Sequence, residues 1–582
     1  GWECAELPAG FEVPDTVQAV LAARIDLLPA AEKAALQAAA VIGRVFWTGP
    51  VYELVGGAPD FDLLTERDFV RRRAGSSISG EREYAIKHAL TREVAYASLP
   101  KARRAQLHAA FARWLERSGE GTDEYAGLLA HHYAESVRPE DLDLAWVGRD
   151  DEAVALGERA LYWSKRAAQL AIGRYEMDEG LTLLHRAAGM EPDPAEQARL
   201  WYEIGRASAL KYDGEGFVAA MEKALELGAA PGDVYAELGF QTVQRAGMWK
   251  TRPEFGLVKG WIDQGLASSE PETAAHARAV VARALWEQTE DYAREAEQVA
   301  RESGDVELVA HALWARGQLF FNAGDYAAAS DQLDLRVALH PQIRDPDLRC
   351  NTLFMAVDVH IAANRFASSR AALELLEQEA EGLTPHHRLH AIGQRVDLEV
   401  ACGHWEEIRD VTSRTEAAVD ANLATPCPLN IASLFNCALA AALLGDSAEA
   451  LRLEEAAYAT GMTGYGFATD PVRISLALAQ GDLDKAREIV QQLDPELLEK
   501  WSARTRASLF DALAAFGERD RIEADAPQWI ERPGYAQPFA LRALGLVRED
   551  EALVAEAAEA FETMGLAWHA EQTREHRTIG DR

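Results

Sequence analysis

The sequence predicts an all-α protein, and three observations carry that prediction. From about Glu152 to Gly565 apolar residues recur at helical spacing, with Gly, Asp or Pro between segments and almost no alternating β-branched pattern. Turn dipeptides of one kind return at Gly324-Asp325, Asn364-Arg365, Gly403-His404, Gly445-Asp446 and Gly481-Asp482, at intervals of 40, 39, 42 and 36 residues. One stretch alone reads as a hairpin, Ser76-Ser77-Ile78-Ser79-Gly80 with Glu83-Tyr84-Ala85-Ile86.

Taken in order, Pro14 and Asp15 open an amphipathic helix whose stripe is Val17, Val20, Leu21, Ile25 and Leu28, closed by Pro29. A second helix starts near Glu32 and runs through Leu36, Ala39 and Ala40 toward Gly43. A third follows Gly56–Pro59 and includes Leu63, Leu64 and Phe69. Arg71-Arg72-Arg73 then reads as the end of a helix just before the hairpin. Short helices followed by a hairpin predict a winged-helix unit over residues 30–118, after the helix within residues 1–29.

The clearest repeat unit is Leu313, Gly317, Phe320, Gly324-Asp325-Tyr326, Ala329, Leu333 and Pro341. Its order is that of a tetratricopeptide repeat, in which small residues let paired helices approach and large ones fill the gap to the next pair. Trp201, Ile204, Gly205, Phe217, Met221 and Ala224 form a degenerate copy. The intervals exceed 34 residues, so residues 119–582 are expected to form an irregular tetratricopeptide-like α-solenoid.

Composition narrows the function. With 582 residues, 48% hydrophobic and 26% charged, the chain is neither disordered nor fibrous. No apolar run approaches the roughly 18 residues of a spanning helix, so no membrane partner is expected. The chain opens on Gly with no leader-like segment, which suggests a piece of a longer protein. Cys4, Cys350, Cys402, Cys427 and Cys437, an odd number without C-x-x-C, fit free thiols in a reducing cytoplasm. A net charge of −35 argues against nucleic acid as the main partner. Residues 61–120 depart from this, with 12 Lys and Arg against 8 Asp and Glu. There Arg71–Arg73, with Lys101, Arg103 and Arg104, could grip phosphates or be answered by acidic groups of the same chain.

Motifs for catalysis are absent from the sequence. Gly-Lys never occurs, so no P-loop is present, and Leu353–Asp358, which imitates a Walker B strand, fits a solenoid helix. His131 with Glu135, or His386 with His390, could share a helix face, but neither is a full ligand set and no metal is expected. No catalytic residue is assigned. Trp163, Trp201, Trp286, Trp314, Trp405 and Tyr326 read mainly as filler between helices, some of which a solenoid face could use for a ligand.

Four segments together carry a resemblance: Val13–Gln18 through Ala23–Pro29, Leu36–Phe46, Glu83–Tyr96, and Ala130-His131-His132-Tyr133. They resemble the region that follows the nucleotide-binding core in bacterial STAND signalling ATPases, in particular those coupled to class III adenylate/guanylate cyclase domains. The resemblance covers residues 11–135 specifically and the repeats generically. It implies a parent protein ordered as cyclase, P-loop ATPase, winged helix and repeat sensor, with residues 1–29 the C-terminal helix of a truncated ATPase module, and with ATP or ADP and magnesium held by that module rather than by this chain. It also implies that His88 occupies the place of a winged-helix His that reaches the ADP phosphate in the closed state, although Ala89 stands where that motif has Asp. The expected role is a non-catalytic sensor, with a protein partner or small-molecule effector on the repeats controlling the attached ATPase and cyclase modules. A STAND transcription regulator or a stand-alone scaffold are the alternatives; the end of the chain, Trp568–Arg574, carries no basic helix-turn-helix.

Overall fold

The structure is a computed structural model that describes residues 17–118, 122–249, 253–425, 427–461, 466–493 and 503–575. Pro14, Asp15 and Cys4 lie outside the described residues. The described chain is helical apart from one small sheet, as the sequence predicts. It divides into two compact units, Gly1–Ala207 and Ser208–Arg582.

The first unit opens with α1 (Val17–Asp26), α2 (Ala30–Ile42), β1 (Val45–Trp47), α3 (Thr48–Val55), α4 (Phe61–Glu66), β2 (Val70–Arg72), β3 (Glu83–Ile86), α5 (Ala89–Ala97) and α6 (Lys101–Ser118). The strands form an antiparallel sheet in the order β1-β3-β2, with Phe46 opposite Tyr84 and Arg72 also opposite Tyr84. Four expectations are corrected here. Ser76–Gly80 is a loop, because β3 pairs with Val45–Trp47 and Val70–Arg72 instead. Arg71 and Arg72 lie on β2 rather than at a helix end, and Phe69 lies outside α4. Of the first stripe, Ile25 in α1 and Leu28 just after it are buried, but Val17 and Val20 are exposed, so only part of the stripe packs. The central strand is buried at all four residues, and Phe46, Phe61 and Tyr84 stack beside it. Within it Glu83 accepts from Ser77 N and Oγ at 2.9 Å and pairs with Arg73 at 2.7 Å. Burial pushes the Glu83 carboxyl up, but these partners outweigh it and hold it below its usual range.

After α6 the unit continues with α7 (Ala126–Ser136), α8 (Pro139–Ala145), α9 (Asp150–Gly173), α10 (Met177–Met190) and the start of α11 (Pro194–Leu210). His108 of α6 and His132 of α7 are buried, with their Nδ1 atoms 2.8 Å apart.

The second unit is a train of helical hairpins. Its helices are α12 (Gly214–Glu226), α13 (Pro231–Gln244), α14 (Phe255–Ser268), α15 (Ala274–Glu287), α16 (Glu290–Ser303), α17 (Val306–Asn322), α18 (Tyr326–Ala338), α19 (Pro346–Ala362), α20 (Phe366–Glu381) and α21 (Pro385–Cys402). It continues with α22 (Trp405–Asn422), α23 (Leu429–Leu443), α24 (Ser447–Ala459), α25 (Gly466–Ala479), α26 (Leu483–Gln492), α27 (Ala503–Phe516), α28 (Arg519–Ile530), α29 (Gln537–Arg548), α30 (Glu551–Thr563) and α31 (Ala567–Arg574).

The five turn dipeptides join α17 to α18, α19 to α20, α21 to α22, α23 to α24 and α25 to α26. The first residue of each is left-handed, with φ of 76° at Gly324, 59° at Asn364, 75° at Gly403, 86° at Gly445 and 74° at Gly481. The following N–H then reaches back to a carbonyl five residues earlier, as in Asp325 to Phe320 at 2.9 Å and Asp482 to Ala477 at 2.9 Å. Asp325, Asp446 and Asp482 go on to cap the next helix through their side chains. One dipeptide thus ends one helix and starts the next. Within the clearest unit, a methyl on Gly317 would come 3.1 Å from Leu333 Cδ2, the close approach its spacing predicts.

The helices fall into two layers. The first helix of each pair also packs on the first helix of the next, as α19 on α21, α21 on α23 and α23 on α25. Accordingly α23 buries 14 of its 15 residues while α24 buries 4 of 13, which is why α23 is apolar all round and α24 is not. Leu353–Asp358, the Walker B imitation, lies inside α19, with Leu353 and Val357 in the core.

Candidate functional site

The first helices of successive pairs enclose a cavity of about 1120 Å³ in the second unit, lined from α13, α14, α15, α17 and α19. Its apolar wall is aromatic: Phe255 stacks on Trp286 with centroids 5.0 Å apart and planes 21° apart, and Trp314 stands on α17. Hydrogen-bonding groups face it from Gln244, Gln288, Gln318, Asn322 and Asn351. Gln288, left-handed at the end of α15, accepts from Asn322 Nδ2 at 2.8 Å and so ties α15 to α17 at the rim. Trp286 and Trp314, expected mainly as filler, are the residues of the aromatic set placed against open space. Trp163, Trp405 and Tyr326 are core, with Trp405 against Trp568 at 5.1 Å.

Charge around the cavity is uneven: Glu287 and Asp347 bring carboxylates to its lining, with Tyr212 and His311, while the cations stand behind it. Arg245 is buried and holds Asp347 at 2.8 Å and Asp345 at 3.4 Å. Asp347 also accepts from Tyr212 Oη at 2.9 Å and faces His387 Nε2 at 3.1 Å. Burial opposes ionisation of Asp347, but Arg245, His387 and Tyr212 overcome it and keep the carboxyl well below its usual range. His311, edge-on to Phe240 at 5.2 Å, is held neutral by burial, with Arg336 and Arg245 adding to the effect. Arg336 is different. Fully buried on α18, it donates to Asn351 Oδ1 at 2.9 Å, and its guanidinium lies 5.9 Å from the Trp314 ring centroid. Burial pushes its pKa down to about 9, so it remains a cation at neutral pH. Its Nε and Nη1 have no hydrogen-bond partner and no carboxylate pairs with it among the described residues. A buried cation thus stands directly behind two cavity-lining residues.

The residue singled out from sequence, His88, sits between β3 and α5 in the first unit. It is exposed rather than buried in a core; its carbonyl accepts from Thr91 N at 3.1 Å, and its imidazole makes no capping bond. The basic patch is partly answered by its own chain: Arg73 by Glu83, Lys101 by Asp141 at 3.0 Å, Arg103 by the Leu54 carbonyl at 3.3 Å, and Arg104 over the Tyr96 ring. Of the two histidine pairs, His131 lies beside His108 and His132, while His386 and His390 are joined by Cys427, which is 37 residues further on.

No family model matches the chain, and no curated protein does. Among solved structures it is similar to a crystal structure of the Signal Transduction ATPase with Numerous Domains (STAND) protein with a tetratricopeptide repeat sensor from Pyrococcus horikoshii. The identity is 13%, the TM-score 0.29, and the match covers 82% of this chain and 68% of that one. No described helix is long and apolar enough to cross a membrane.

Proposed function

We propose that this chain is the sensor region of a STAND signalling ATPase, and that the cavity between α13, α15, α17 and α19 receives its effector. The observation that carries the reading is the pairing of an aromatic wall with a buried, unbalanced cation. A cation buried without a counter-ion is costly. An anionic group reaching Asn351 and Trp314 would offset that cost, while the Phe255–Trp286 stack offers a flat face. The effector is therefore a small planar or partly apolar molecule with an anionic edge. A cavity that opens between repeat helices can bias their packing only if the ligand binds one arrangement better than another.

In the same reading residues 30–118 form the winged helix, residues 119–582 the repeat sensor, and the output is an attached adenylate/guanylate cyclase module controlled through an ATPase module that binds ATP or ADP with magnesium. His88 supplies the contact to the nucleotide phosphate in the closed state, a role its exposure at the start of α5 leaves open to it. The test is made in the full-length protein. Removal of the repeats is expected to change cyclase output and abolish its response to effector, and His88→Ala is expected to raise basal output by releasing the closed state. Output unaffected by either change contradicts the sensor role.

A further inference from the structure

We infer that His386, His390 and Cys427 form a binding site for a divalent, thiolate-preferring metal ion of the zinc class. His386 and His390 lie one helical turn apart on α21, so both imidazoles leave the same face. Cys427 is delivered from the other side, between Pro426 and Pro428 immediately before α23. Nitrogen and sulfur atoms of the three side chains all lie within 4.8 Å of one another, and Cys427 Sγ is 3.4 Å from His390 Nε2. Around tetrahedral zinc, ligand atoms stand about 3.3–3.6 Å apart, given Zn–N near 2.0–2.1 Å and Zn–S near 2.3 Å. One pair is already at that separation, and a rotation of the His386 ring brings in the third.

A purely structural role leaves His386 unexplained. It is buried, packed between Tyr212 at 4.1 Å and His390 at 4.2 Å, and both of its ring nitrogens lack a hydrogen-bond partner among the described residues. Buried polar atoms are rarely left so, because an unmade bond costs about 1–3 kcal/mol. Coordination of one nitrogen removes that cost. In two other clusters of ligand type several of the ligand atoms already have partners. His108 and His132 face each other at 2.8 Å, and Tyr96 Oη lies 3.1 Å from His108 Nε2. Beside Cys402, Glu399 is occupied by Arg370 at 2.9 Å and His404 at 2.7 Å. At Cys427, by contrast, a thiol meets His390 beside a buried His386 whose two ring nitrogens have no partner among the described residues.

The chemistry of the set selects the ion. Two neutral imidazoles and one thiolate suit zinc and its spectroscopic substitute cobalt, and disfavour magnesium or calcium, which take oxygen ligands. Binding converts the Cys427 thiol to a metal-bound thiolate and releases its proton to solvent, with no change of oxidation state. Burial pushes the Cys427 thiol up to about 12, and the backbone N–H groups of Leu429 and Asn430, at the start of α23, oppose this only in part, so the metal itself must displace the proton. Three protein ligands leave the fourth tetrahedral position for water.

The experiment is titration of the reduced full chain with cobalt(II) alone, followed by absorption spectroscopy. The expected result is a sulfur-to-cobalt charge-transfer band with tetrahedral d–d bands, saturating at one ion per chain and lost on adding zinc. Cys427→Ser is expected to lose the charge-transfer band, and His390→Gln, at a half-buried position, to lose the tetrahedral spectrum while keeping the thermal melting profile. Cys437→Ser, on α23 but outside the cluster, is expected to keep both. Absence of a charge-transfer band in the parent chain overturns the inference, as does its survival in Cys427→Ser.

Discussion

Two stretches of the second unit are built from the same helical hairpin and differ in how they are closed. Between Tyr326 and Ala570 the buried apolar residues join into one continuous core. Between Ala236 and Leu348 they form separate smaller groups, and the cavity opens among them. The later stretch is closed because its end returns to its beginning. Tyr535 N donates to the Ala362 carbonyl at 3.0 Å, Tyr535 Oη to the Ala401 carbonyl at 3.1 Å, and Arg504 pairs with Asp358 and Asp397 at 3.1 and 3.0 Å. In an open solenoid each repeat meets only its neighbours, and its stability is a sum of local terms. Contacts between residues more than 100 positions apart occur in both stretches, Tyr212 to Asp347 being one in the earlier, but in the later one they accompany a continuous apolar core, whereas the earlier hairpins keep their apolar groups separate around the cavity.

That contrast is breakable, most severely at the Arg542–Asp511 pair. Both side chains are almost fully buried, at 1% and 2% exposure and 2.6 Å apart. Asp511→Ala is expected to cost about 3–5 kcal/mol, since it leaves a buried guanidinium unpaired. Adding Arg542→Met should recover much of the loss in chemical denaturation, and a single variant of neutral stability would show that this stretch is not closed.

Acid is the next largest lever. Burial pushes His569 down to about 3, so below pH 6.5 the unfolded chain takes up a proton that the folded chain refuses. Stability from this residue is therefore whole above pH 6.5 and falls as the pH drops toward 3, by about 2 kcal/mol at pH 5. Melting temperatures at pH 7.5 and 5 should differ less in His569→Gln than in the parent chain; equal differences remove the claim.

Two glycines isolate the closing contact itself. Gly403 and Gly481 share a left-handed turn, with φ of 75° and 74°, and so the same backbone strain on substitution. A Cβ on Gly403 would lie 2.9 Å from the Trp568 Cβ, whereas none of the described atoms stands within 4 Å of one on Gly481. Gly403→Ala should be the more destabilising by about 1 kcal/mol. Matching losses would mean that the return of α31 onto this turn contributes little.

The smallest expected effect on stability falls in the open stretch. Phe255 is 59% exposed, so Phe255→Ala should change stability by less than about 1 kcal/mol. It removes one face of the aromatic stack, and effector affinity should drop although the melting profile stays, a separation that a calorimetric titration would measure.

Local order was legible in the sequence, and distant order was not. The turn dipeptides reveal five hairpins because a left-handed residue followed by a capping residue is local chemistry. The same turn built on other residues escapes that reading, as at Glu549-Asp550 and Tyr212-Asp213, where φ is 55° and 64°. Likewise β1 and β2 are three residues each, too short to show alternation, and β1 pairs with a strand some way further along the chain. Trp286 and Trp314 look alike as sequence to Trp405, and only packing separates cavity wall from core. Cys427 offers no motif with His386 and His390, since α22 intervenes between them.

The central claim is that the open stretch binds an effector. A thermal-shift screen of the full chain and of Phe255→Ala against nucleotides, sugars, amino acids and fractionated cell extract tests it most directly, because a ligand of the folded state raises its melting temperature. The account predicts a small anionic molecule that shifts the parent chain and shifts Phe255→Ala less. A shift identical in both chains, or one produced only by a protein fraction, would contradict it.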